Sequence, residues 1–292
     1  MSSPPPDATR VLNEQGRPTT VQLNLPSRPL QDLYFQLLTS SWLRLSVLAV
    51  LGYLMVNTLF AGAYMYFGGI ENARPESFHD AFFFSVQTMS TIGYGGMIPR
   101  SLAANVLVTL EAFVGLVGFA LATGLMFSKF ARPTARVMFS KVAVVGPHNG
   151  VPCLQFRVAN QRRDNQILEA QLRVTVFRNE KTLEGTFIRR MIDIPLTRER
   201  MGMFSLGWLA MHPIVTGSPF HGVSQEALTE QAVEVLVSFT GTDEVSSQFV
   251  HARQAYQMSD IHWNARLVDI LDQLPDGRRA INYARFHEYE AL

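Results

Sequence analysis

The chain has 292 residues, enough for two ordinary domains, and its formal net charge of +1 excludes a nucleic-acid binder driven by bulk positive charge. Hydrophobic residues make up 47% and charged residues 17%, below the roughly 25% charged residues of a typical soluble protein. The single cysteine, Cys153, excludes an intrachain disulfide and a multi-cysteine metal site.

The N-terminal segment has no hydrophobic period. Residues 1–28 are rich in Pro, Ser, Thr and Asn, and we predict a mobile tail. A helix over residues 29–41 is predicted from five apolar residues at helical spacing: Leu30, Leu33, Tyr34, Leu37 and Leu38. Next to a membrane span, this stripe favours a helix lying in the membrane interface. A short cytosolic helix packed on its own domain is the alternative.

Two long apolar segments follow. Residues 45–70 contain no charged residue and residues 101–128 contain one, Glu111. Each segment exceeds the ~20 residues that a helix needs to cross a bilayer. Basic residues flank the outer ends of the pair, so the positive-inside rule predicts a multi-pass protein of the cell (inner) membrane with both termini in the cytoplasm.

Between the two spans, residues 76–90 (ESFHDAFFFSVQTMS) have the pattern of a shorter helix. Ser77 and Asp80 have the spacing of an N-terminal capping box. The stretch is too short to cross the membrane, and we predict a re-entrant helix that enters and returns. The sequence TIGYGG, residues 91–96, lies at its inner end.

In the glycine-rich segment, the groups able to bind a ligand are mainly the peptide carbonyls, because few of its residues have reactive side chains. Alternating left- and right-handed conformations would turn successive carbonyls to one side over Thr91, Ile92, Gly93, Tyr94 and Gly95. A file of carbonyls can replace the hydration shell of K⁺. One strand supplies too few oxygens, so several copies must converge on an axis. We therefore predict K⁺ coordination by peptide carbonyls in an oligomer, with no cofactor beyond the ions.

From Val137 onward the hydrophobic period changes to two. In residues 167–177 one face carries only apolar residues: Leu168, Ala170, Leu172, Val174 and Val176. Residues 153–158 and 233–239 also read as strands, separated by turn sequences such as GPHNGVP and FTGTDE. We predict a β-sandwich domain over residues 132–292, following a transmembrane pore domain over residues 42–131.

These segments resemble a known family. TIGYG, placed after a short helix and between two spans, resembles the selectivity filter of potassium channels. The chain from about Leu30 onward is similar to inward-rectifier (Kir) channels, particularly the prokaryotic KirBac type. LQDLYFQLLTSSW resembles their slide helix, FSKFARPTAR their basic linker, and LQFRVANQRRDNQILEAQLRV part of their cytoplasmic domain. The resemblance implies a homotetramer whose immunoglobulin-like cytoplasmic sandwiches extend the pore. In the family an acidic or aromatic residue often follows the filter, whereas Gly96 follows here.

The resemblance assigns roles on the inner helix. Phe127 matches the constriction at the bundle crossing, where four rings would form an apolar gate that excludes water. Phe119 and Thr123 share its helical face and are predicted to line the pore. Phe119 stands where many eukaryotic members carry a polar residue that favours block by Mg²⁺ and polyamines, so weak rectification is expected. Lipid-facing or interhelical packing is the alternative for the phenylalanines.

Three further residues lie on the same helix. Gly115 and Gly124 match family glycines discussed as hinges, and close packing between helices is the alternative. Glu111 is expected to point into protein behind the filter and to brace it, because an ionisable residue inside a membrane is expensive.

Basic residues near the cytoplasmic membrane edge are candidates for lipid binding: Arg44, Lys129, Arg132 and Arg136. Such side chains attract anionic headgroups, and the resemblance implies a phosphoinositide site in this region. Ordinary positive-inside anchoring is the alternative.

Two features of the β domain also match the family. Glu169 matches a carboxylate that lines the cytoplasmic pore, where a ring of four would concentrate cations; a solvated surface glutamate is the alternative. Residues 241–247 (GTDEVSS) match a loop at the membrane-facing end of that pore, which would form a second constriction.

The function expected from these features is passive, K⁺-selective conduction without catalysis. One rival is a two-span potassium channel with a nucleotide- or Ca²⁺-sensing domain, but the sequence after residue 137 has no βαβ pattern with a glycine fingerprint. The other is a membrane-anchored enzyme or binding module, which no nucleophile–base pair or metal cluster in the sequence supports.

Overall fold

The computed structural model describes residues 12–19, 23, 32–132 and 134–292. The chain divides into two compact units. The helical unit is Asn24–Arg132, and the β unit combines Met1–Leu23 with Pro133–Leu292.

The described residues of the helical unit form four helices and a short strand pair: α1 (Leu33–Thr39), α2 (Trp42–Phe67), β1 (Ile70–Glu71), α3 (Phe78–Met89), β2 (Ile98–Pro99) and α4 (Leu102–Phe130). Helices α2 and α4 are long and apolar enough to cross a membrane, as predicted. Helix α3, with 12 residues, is the shorter helix predicted between them. Helix α1 lies within the predicted 29–41 segment, whose Leu30 lies outside the described residues.

Serine caps begin three of these helices. The hydroxyls of Ser41, Ser77 and Ser101 each accept a hydrogen bond from the backbone N–H three residues later, which satisfies one unpaired donor of the first turn. Of the two hydrogen bonds in the capping box predicted at Ser77, the one from the Asp80 N–H to the Ser77 hydroxyl is present, and the return bond from the Ser77 N–H to the Asp80 carboxylate is not. The Asp80 carboxylate instead accepts from the Arg74 backbone at 2.8 Å and forms an ion pair with its guanidinium.

The β unit contains two five-stranded sheets within the described residues. One has the order β11-β10-β6-β7, with β8 also paired to β6, and the other has the order β12-β4-β5-β3, with β9 also paired to β5. The first comprises β6 (Ile167–Lys181), β7 (Phe187–Ile194), β8 (Arg200–Phe204), β10 (Glu234–Asp243) and β11 (Phe249–Gln257). The second comprises β3 (Val137–Phe139), β4 (Ala143–His148), β5 (Val151–Asn160), β9 (Gly207–Pro213) and β12 (Ile261–Trp263).

Shorter elements complete the β unit. They are α5 (Gln225–Glu230), the antiparallel pairs β13 (Ala265–Leu267) with β16 (Tyr289–Ala291) and β14 (Leu271–Gln273) with β15 (Arg279–Ile281), and two 3₁₀ turns, Met258–Asp260 and Tyr283–Arg285.

The two sheets share one apolar core, which confirms the predicted sandwich. Phe156 on β5 and Leu172 and Val174 on β6 belong to one buried cluster with Phe239 on β10, and each is at most 1% exposed. Burial of each such side chain contributes about 1.5–3 kcal/mol to folding.

The alternation predicted for β6 holds from Ala170 onward but shifts before it. Leu168, predicted on the apolar face, is half-buried, and Ile167 is buried instead. The reason is a β-bulge: the register with β10 shifts between Thr240 and Thr242, and an extra residue reverses which face the preceding side chains occupy. The predicted FTGTDE turn is therefore too early, because β10 continues to Asp243.

The described part of the predicted tail is folded. Residues 12–19 form a turn closed by a bridge between Leu12 and Pro18. The Glu14 carbonyl accepts a hydrogen bond from the Ala255 N–H of β11 at 2.9 Å, and Leu12 is 7% exposed. For these residues the structure differs from the prediction of a mobile tail, because one buried leucine and a backbone hydrogen bond attach them to the sheet.

Candidate functional site

The segment after α3 has an alternating backbone. Thr91, Gly93 and Gly95 have φ angles of +57°, +55° and +77°, whereas the intervening Ile92 and Tyr94 are not among the residues with positive φ. This is the alternation predicted from the sequence. A positive φ is strained for Thr91, which is β-branched, and strain of this kind clusters at functional sites.

The end of α3 fixes where this segment starts. The Gln87 carbonyl accepts hydrogen bonds from the backbone N–H groups of Ile92 at 2.9 Å and Gly93 at 3.4 Å. The Ser90 hydroxyl lies 2.6 Å from the Tyr53 hydroxyl of α2. The segment is therefore anchored to α3 and α2 at its inner end, while its own residues remain exposed in the single chain.

The outer end of the segment is held by the loop after α2. The Asn72 side chain donates a hydrogen bond from Nδ2 to the Gly96 carbonyl at 3.0 Å. Asn72 itself has a φ of +65°, which asparagine tolerates better than most residues. Pairing of Glu71 with Ile98 in the β1–β2 ladder and an ion pair between Glu71 and Arg100 hold the same loop.

We expect Asn72→Gly to weaken the outer end of this segment. Glycine keeps the left-handed backbone without strain but removes the amide donor, and one hydrogen bond is worth about 0.5–1.5 kcal/mol. The expected result is a twofold to roughly tenfold loss of steady-state ⁸⁶Rb⁺ uptake in proteoliposomes. Asn72→Asp, which places an oxygen opposite the Gly96 carbonyl, should lose at least as much. Wild-type uptake in both variants would contradict this role.

Glu111 lies inside protein, as expected, and its role as a brace behind the segment stays a prediction. It is 0% exposed, and its carboxyl group contacts the Tyr64 hydroxyl of α2 at 2.6 Å and the Ser85 hydroxyl of α3. Three residues of the site were not predicted from the sequence: Asn57 and Ser85, which belong to the hydrogen-bond network of Glu111, and Asn72, which holds the Gly96 carbonyl. The available sequence signal for Asn57 was a polar amide within an otherwise apolar span.

One face of α4 carries the predicted pore-lining and gate residues. Phe119, Thr123 and Phe127 are all exposed in the single chain, the two phenylalanines by 75% and 70%. The described residues of the chain thus leave this face uncovered. Their roles in the pore stay predictions.

The two candidate hinge glycines differ. A Cβ on Gly115 would lie 2.7 Å from the Met89 carbonyl oxygen, so close packing against the end of α3 requires glycine there. A Cβ on Gly124 would meet nothing within 4 Å in the described part of the chain. The Met89 contact favours close packing, the alternative to the hinge, at Gly115, and the hinge role of both glycines stays a prediction.

The candidate lipid-binding residues do not share one environment. The Lys129 ammonium donates to the carbonyls of Leu38, at 3.0 Å, and Ser40 at the end of α1, and it lies 5.4 Å from the centre of the Trp42 ring. Arg44 and Arg132 are exposed. Lys129 is thus partly occupied within its own chain, whereas the two arginines face outward.

Arg136 belongs to the β unit and lies in a basic recess of about 670 Å³. Four arginines line this recess: Arg136, Arg162, Arg163 and Arg279. Because Arg162 is paired with Asp243 at 2.9 Å, the charge that could receive an anionic group comes from Arg136, Arg163 and Arg279.

The segment of residues 241–247, predicted as a loop, comprises the end of β10 and the turn after it, and a buried carboxylate fixes it. Asp243 is 3% exposed and accepts hydrogen bonds from the Ser246 N–H and hydroxyl, both at 2.9 Å, and from Asn165 at 2.5 Å. Arg162 pairs with it at 2.9 Å. Burial alone would raise the pKa of Asp243, but these hydrogen bonds and the Arg162 charge outweigh burial and hold it below the ordinary value.

Glu169 is exposed and lies at the bulge of β6, with a φ of +48°. Gly241 lies opposite the bulge, and a Cβ there would lie 2.4 Å from an Ile167 methyl group. The bulge separates Glu169 from the buried face of its strand, so its carboxylate faces solvent.

Two apolar spans enclosing a short helix and a glycine loop with alternating backbone define the pore domain of an ion channel. Comparisons with known proteins show which family of ion channels this is. The profile described as "Ion channel" matches residues 48–132, and the profile described as "Inward rectifier potassium channel C-terminal domain" matches residues 137–292.

Full-length relatives agree with these profiles. The chain is 48% identical to the inward rectifier potassium channel Kirbac3.1 of Paramagnetospirillum magnetotacticum over 98% of this chain and 97% of that protein. It is 31% identical to the human G protein-activated inward rectifier potassium channel 3, over 96% and 77% of the two chains. It is also 31% identical to the human ATP-sensitive inward rectifier potassium channel 8, over 89% and 68%. The chain therefore belongs to the inward-rectifier potassium channel family, and it is of the prokaryotic KirBac type.

Proposed function

We propose that this protein is a K⁺-selective channel that conducts passively across the cell membrane, with both termini in the cytoplasm. The alternating φ angles of Thr91, Gly93 and Gly95 are the observation that carries the proposal, because such a backbone presents successive carbonyls to one side. Those of Thr91 to Gly95 would replace the water around a K⁺ ion. The mechanism uses no cofactor and no chemical step.

The conducting species is a homotetramer. A single strand of carbonyls cannot enclose an ion, and Tyr94 is 77% exposed, so the described residues of its own chain leave its ring largely uncovered. Large apolar residues along α4 are also uncovered, including Phe113, Leu116 and Phe130. Neighbouring subunits and lipid would bury them, and only subunits around an axis complete the filter.

Ion flux through reconstituted protein tests the function directly. K⁺-loaded proteoliposomes containing full-length tetramer should take up ⁸⁶Rb⁺ driven by the outward K⁺ gradient, exclude ²²Na⁺ and be blocked by Ba²⁺. Empty liposomes and liposomes with heat-unfolded protein are the controls. Tetrameric protein that passes neither Rb⁺ nor K⁺ in any lipid mixture would refute the proposal.

Phe127 forms the gate of the proposed channel. Four phenylalanine rings at the inner-helix crossing would exclude water from a narrow apolar constriction. Upstream, Phe119 and Thr123 line the cavity. Because Phe119 offers no charge, block by Mg²⁺ or polyamines at this position is weak and rectification is modest.

Phe127→Ala should widen the constriction and raise open probability several-fold in single-channel recordings. Leu121→Ala is the matched control, because Leu121 is 69% exposed but lies ~120° around the helix from Phe127. The control should leave open probability unchanged. If wild type and Phe127→Ala have the same open probability, Phe127 does not form the gate, and a lipid-facing position is favoured instead.

Anionic lipids modulate the proposed channel. Arg44 and Arg132 would meet headgroups at the membrane surface, Lys129 would contribute its charge next to α1, and Arg136 would receive a phosphate group in its recess. Phosphoinositides are one candidate among such lipids. Recordings in bilayers with and without phosphoinositide, compared with bilayers containing another anionic lipid at equal charge, separate lipid identity from charge.

The exposed carboxylate of Glu169 acts on the cytoplasmic side. In a tetramer, four copies would raise the local cation concentration at the entrance of the pore. The loop of residues 241–247, held by Asp243, would form the second constriction.

A further inference from the structure

Four buried polar side chains connect α2, α3 and α4, each at most 1% exposed: Asn57, Tyr64, Ser85 and Glu111. The Tyr64 hydroxyl lies 2.6 Å from Glu111 Oε2, and the Ser85 hydroxyl is hydrogen-bonded to Glu111 Oε1. Ser85 Oγ is also 3.0 Å from Asn57 Oδ1. These are three hydrogen-bond contacts in one unbroken chain of oxygen atoms.

The number of available hydrogens is too small if Glu111 is ionised. A carboxylate and an amide oxygen only accept, and each hydroxyl donates one hydrogen. Tyr64 and Ser85 therefore supply two hydrogens for three contacts. With an ionised Glu111, the Ser85 oxygen would face either Glu111 or Asn57 with no hydrogen between them. A third hydrogen, on Glu111 Oε1, completes the chain.

The reverse orientation of the Asn57 amide does not supply this hydrogen at acceptable cost. As placed, Asn57 Nδ2 donates to the Tyr53 carbonyl at 2.8 Å and to Met89 Sδ at 3.3 Å. Exchanging the amide atoms would bring its oxygen against both of these acceptors. The neighbours on that side therefore fix Nδ2 toward Tyr53 and Oδ1 toward Ser85.

The surroundings of Glu111 also disfavour a charge. Among the described residues, the hydrogen-bond partners of its carboxyl group are Tyr64 and Ser85, and Tyr64 is the titratable one. Neither is cationic at neutral pH. Glu111 is already 0% exposed in the single chain, so a neighbouring subunit cannot bring a compensating charge into contact with it. A buried carboxylate without a cation is costly.

We propose that Glu111 is a neutral carboxylic acid that donates a hydrogen bond from Oε1 to Ser85 Oγ. Ser85 then donates to Asn57 Oδ1, and Tyr64 donates to Glu111 Oε2. The protonated side chain fastens α3, the helix that carries the filter segment, to both spanning helices. It adds no fixed charge behind the filter, so this cluster is a brace and not a cation site.

Infrared spectroscopy of the full-length tetramer in lipid at neutral pH tests the proton directly. The wild-type minus Glu111→Gln difference spectrum should contain the C=O stretch of a protonated carboxylic acid. Ser85→Ala should shift that band, because the acid loses the oxygen to which it donates. A difference spectrum with only carboxylate bands would overturn the proposal.

Substitutions give an independent test, because glutamine can replace a neutral acid but not a carboxylate. The Glu111→Gln amide donates to Ser85 and its oxygen accepts from Tyr64. Rb⁺ uptake and the fraction of protein that assembles as tetramer should both stay within about twofold of wild type, because the three hydrogen bonds of the network are all kept. Glu111→Asp is one methylene shorter, cannot reach both hydroxyls and should lose both properties. Failure of the glutamine variant to assemble, with survival of the aspartate variant, would refute the neutral acid.

These outcomes are separable from those of the proposed function. If the infrared spectrum shows no protonated acid, the proposal for Glu111 fails but the proposed K⁺ selectivity does not. If the wild-type protein shows no ion flux, the proposed function fails but the protonation state of Glu111 is still decided by the infrared spectrum.

Discussion

Gly93→Ala should abolish K⁺ selectivity while the tetramer still assembles. The φ of Gly93 is +55°, and a Cβ built there meets no described residue of the chain within 4 Å. The penalty therefore comes from the backbone, not from a clash within the chain. A left-handed alanine costs about 1–2 kcal/mol, and a tetramer carries the substitution four times around one axis. The carbonyl of Gly93 would rotate away from its position among the filter carbonyls, and Na⁺ would then compete with K⁺ for the filter.

The measurement is the ratio of ⁸⁶Rb⁺ to ²²Na⁺ uptake in proteoliposomes. Gly96→Ala is the matched control in the same loop, since Gly96 does not have positive φ and a Cβ there also meets nothing within 4 Å among the residues that the structure describes. The control should keep the wild-type ratio. If Gly93→Ala also keeps it, residues 91–95 are not the filter, and the proposed function fails with them.

The features that hydrophobic patterning encodes were predictable. The two spans follow from uninterrupted apolar runs, and the strand β6 follows from alternation at Ala170, Leu172, Val174 and Val176. Such patterns are local, because each helix or strand must present an apolar surface wherever the rest of the chain lies. The alternating backbone of the glycine segment was also predictable, since glycine at alternate positions removes the steric cost of positive φ.

The features that depend on distant partners were not predictable. The bulge at Glu169 follows from pairing with β10 at Gly241, about 70 residues away in sequence, and it changes which neighbours of Glu169 are buried. Asn72 finds its acceptor at Gly96, and Lys129 finds carbonyls at Leu38 and Ser40. Nothing in the local sequence of Asn72 or Lys129 distinguishes these contacts from ordinary exposure.

Gly115→Ala should have the second large effect, and it separates packing from bending. The added Cβ would lie 2.7 Å from the Met89 carbonyl oxygen and 3.0 Å from its Cγ. Backbone cannot yield as a flexible side chain does, so α3 and α4 would have to separate. Overpacking of this kind costs about 1–3 kcal/mol per site. Met89 ends α3, so the displacement reaches the start of the filter segment.

Thermal stability of the tetramer and Rb⁺ uptake should therefore both fall in Gly115→Ala. Gly118→Ala is the matched control one turn away, where a Cβ meets nothing within 4 Å in the described chain and a helical alanine is favoured over glycine by about 1 kcal/mol. Gly124→Ala tests the hinge, because it stiffens α4 at an open position. If the inner helix bends at these glycines during gating, Gly115→Ala and Gly124→Ala should change open probability to a similar extent, and the thermal stability of the tetramer should stay at the wild-type value. If packing matters, only Gly115→Ala loses stability, and the contact with Met89 predicts this second result.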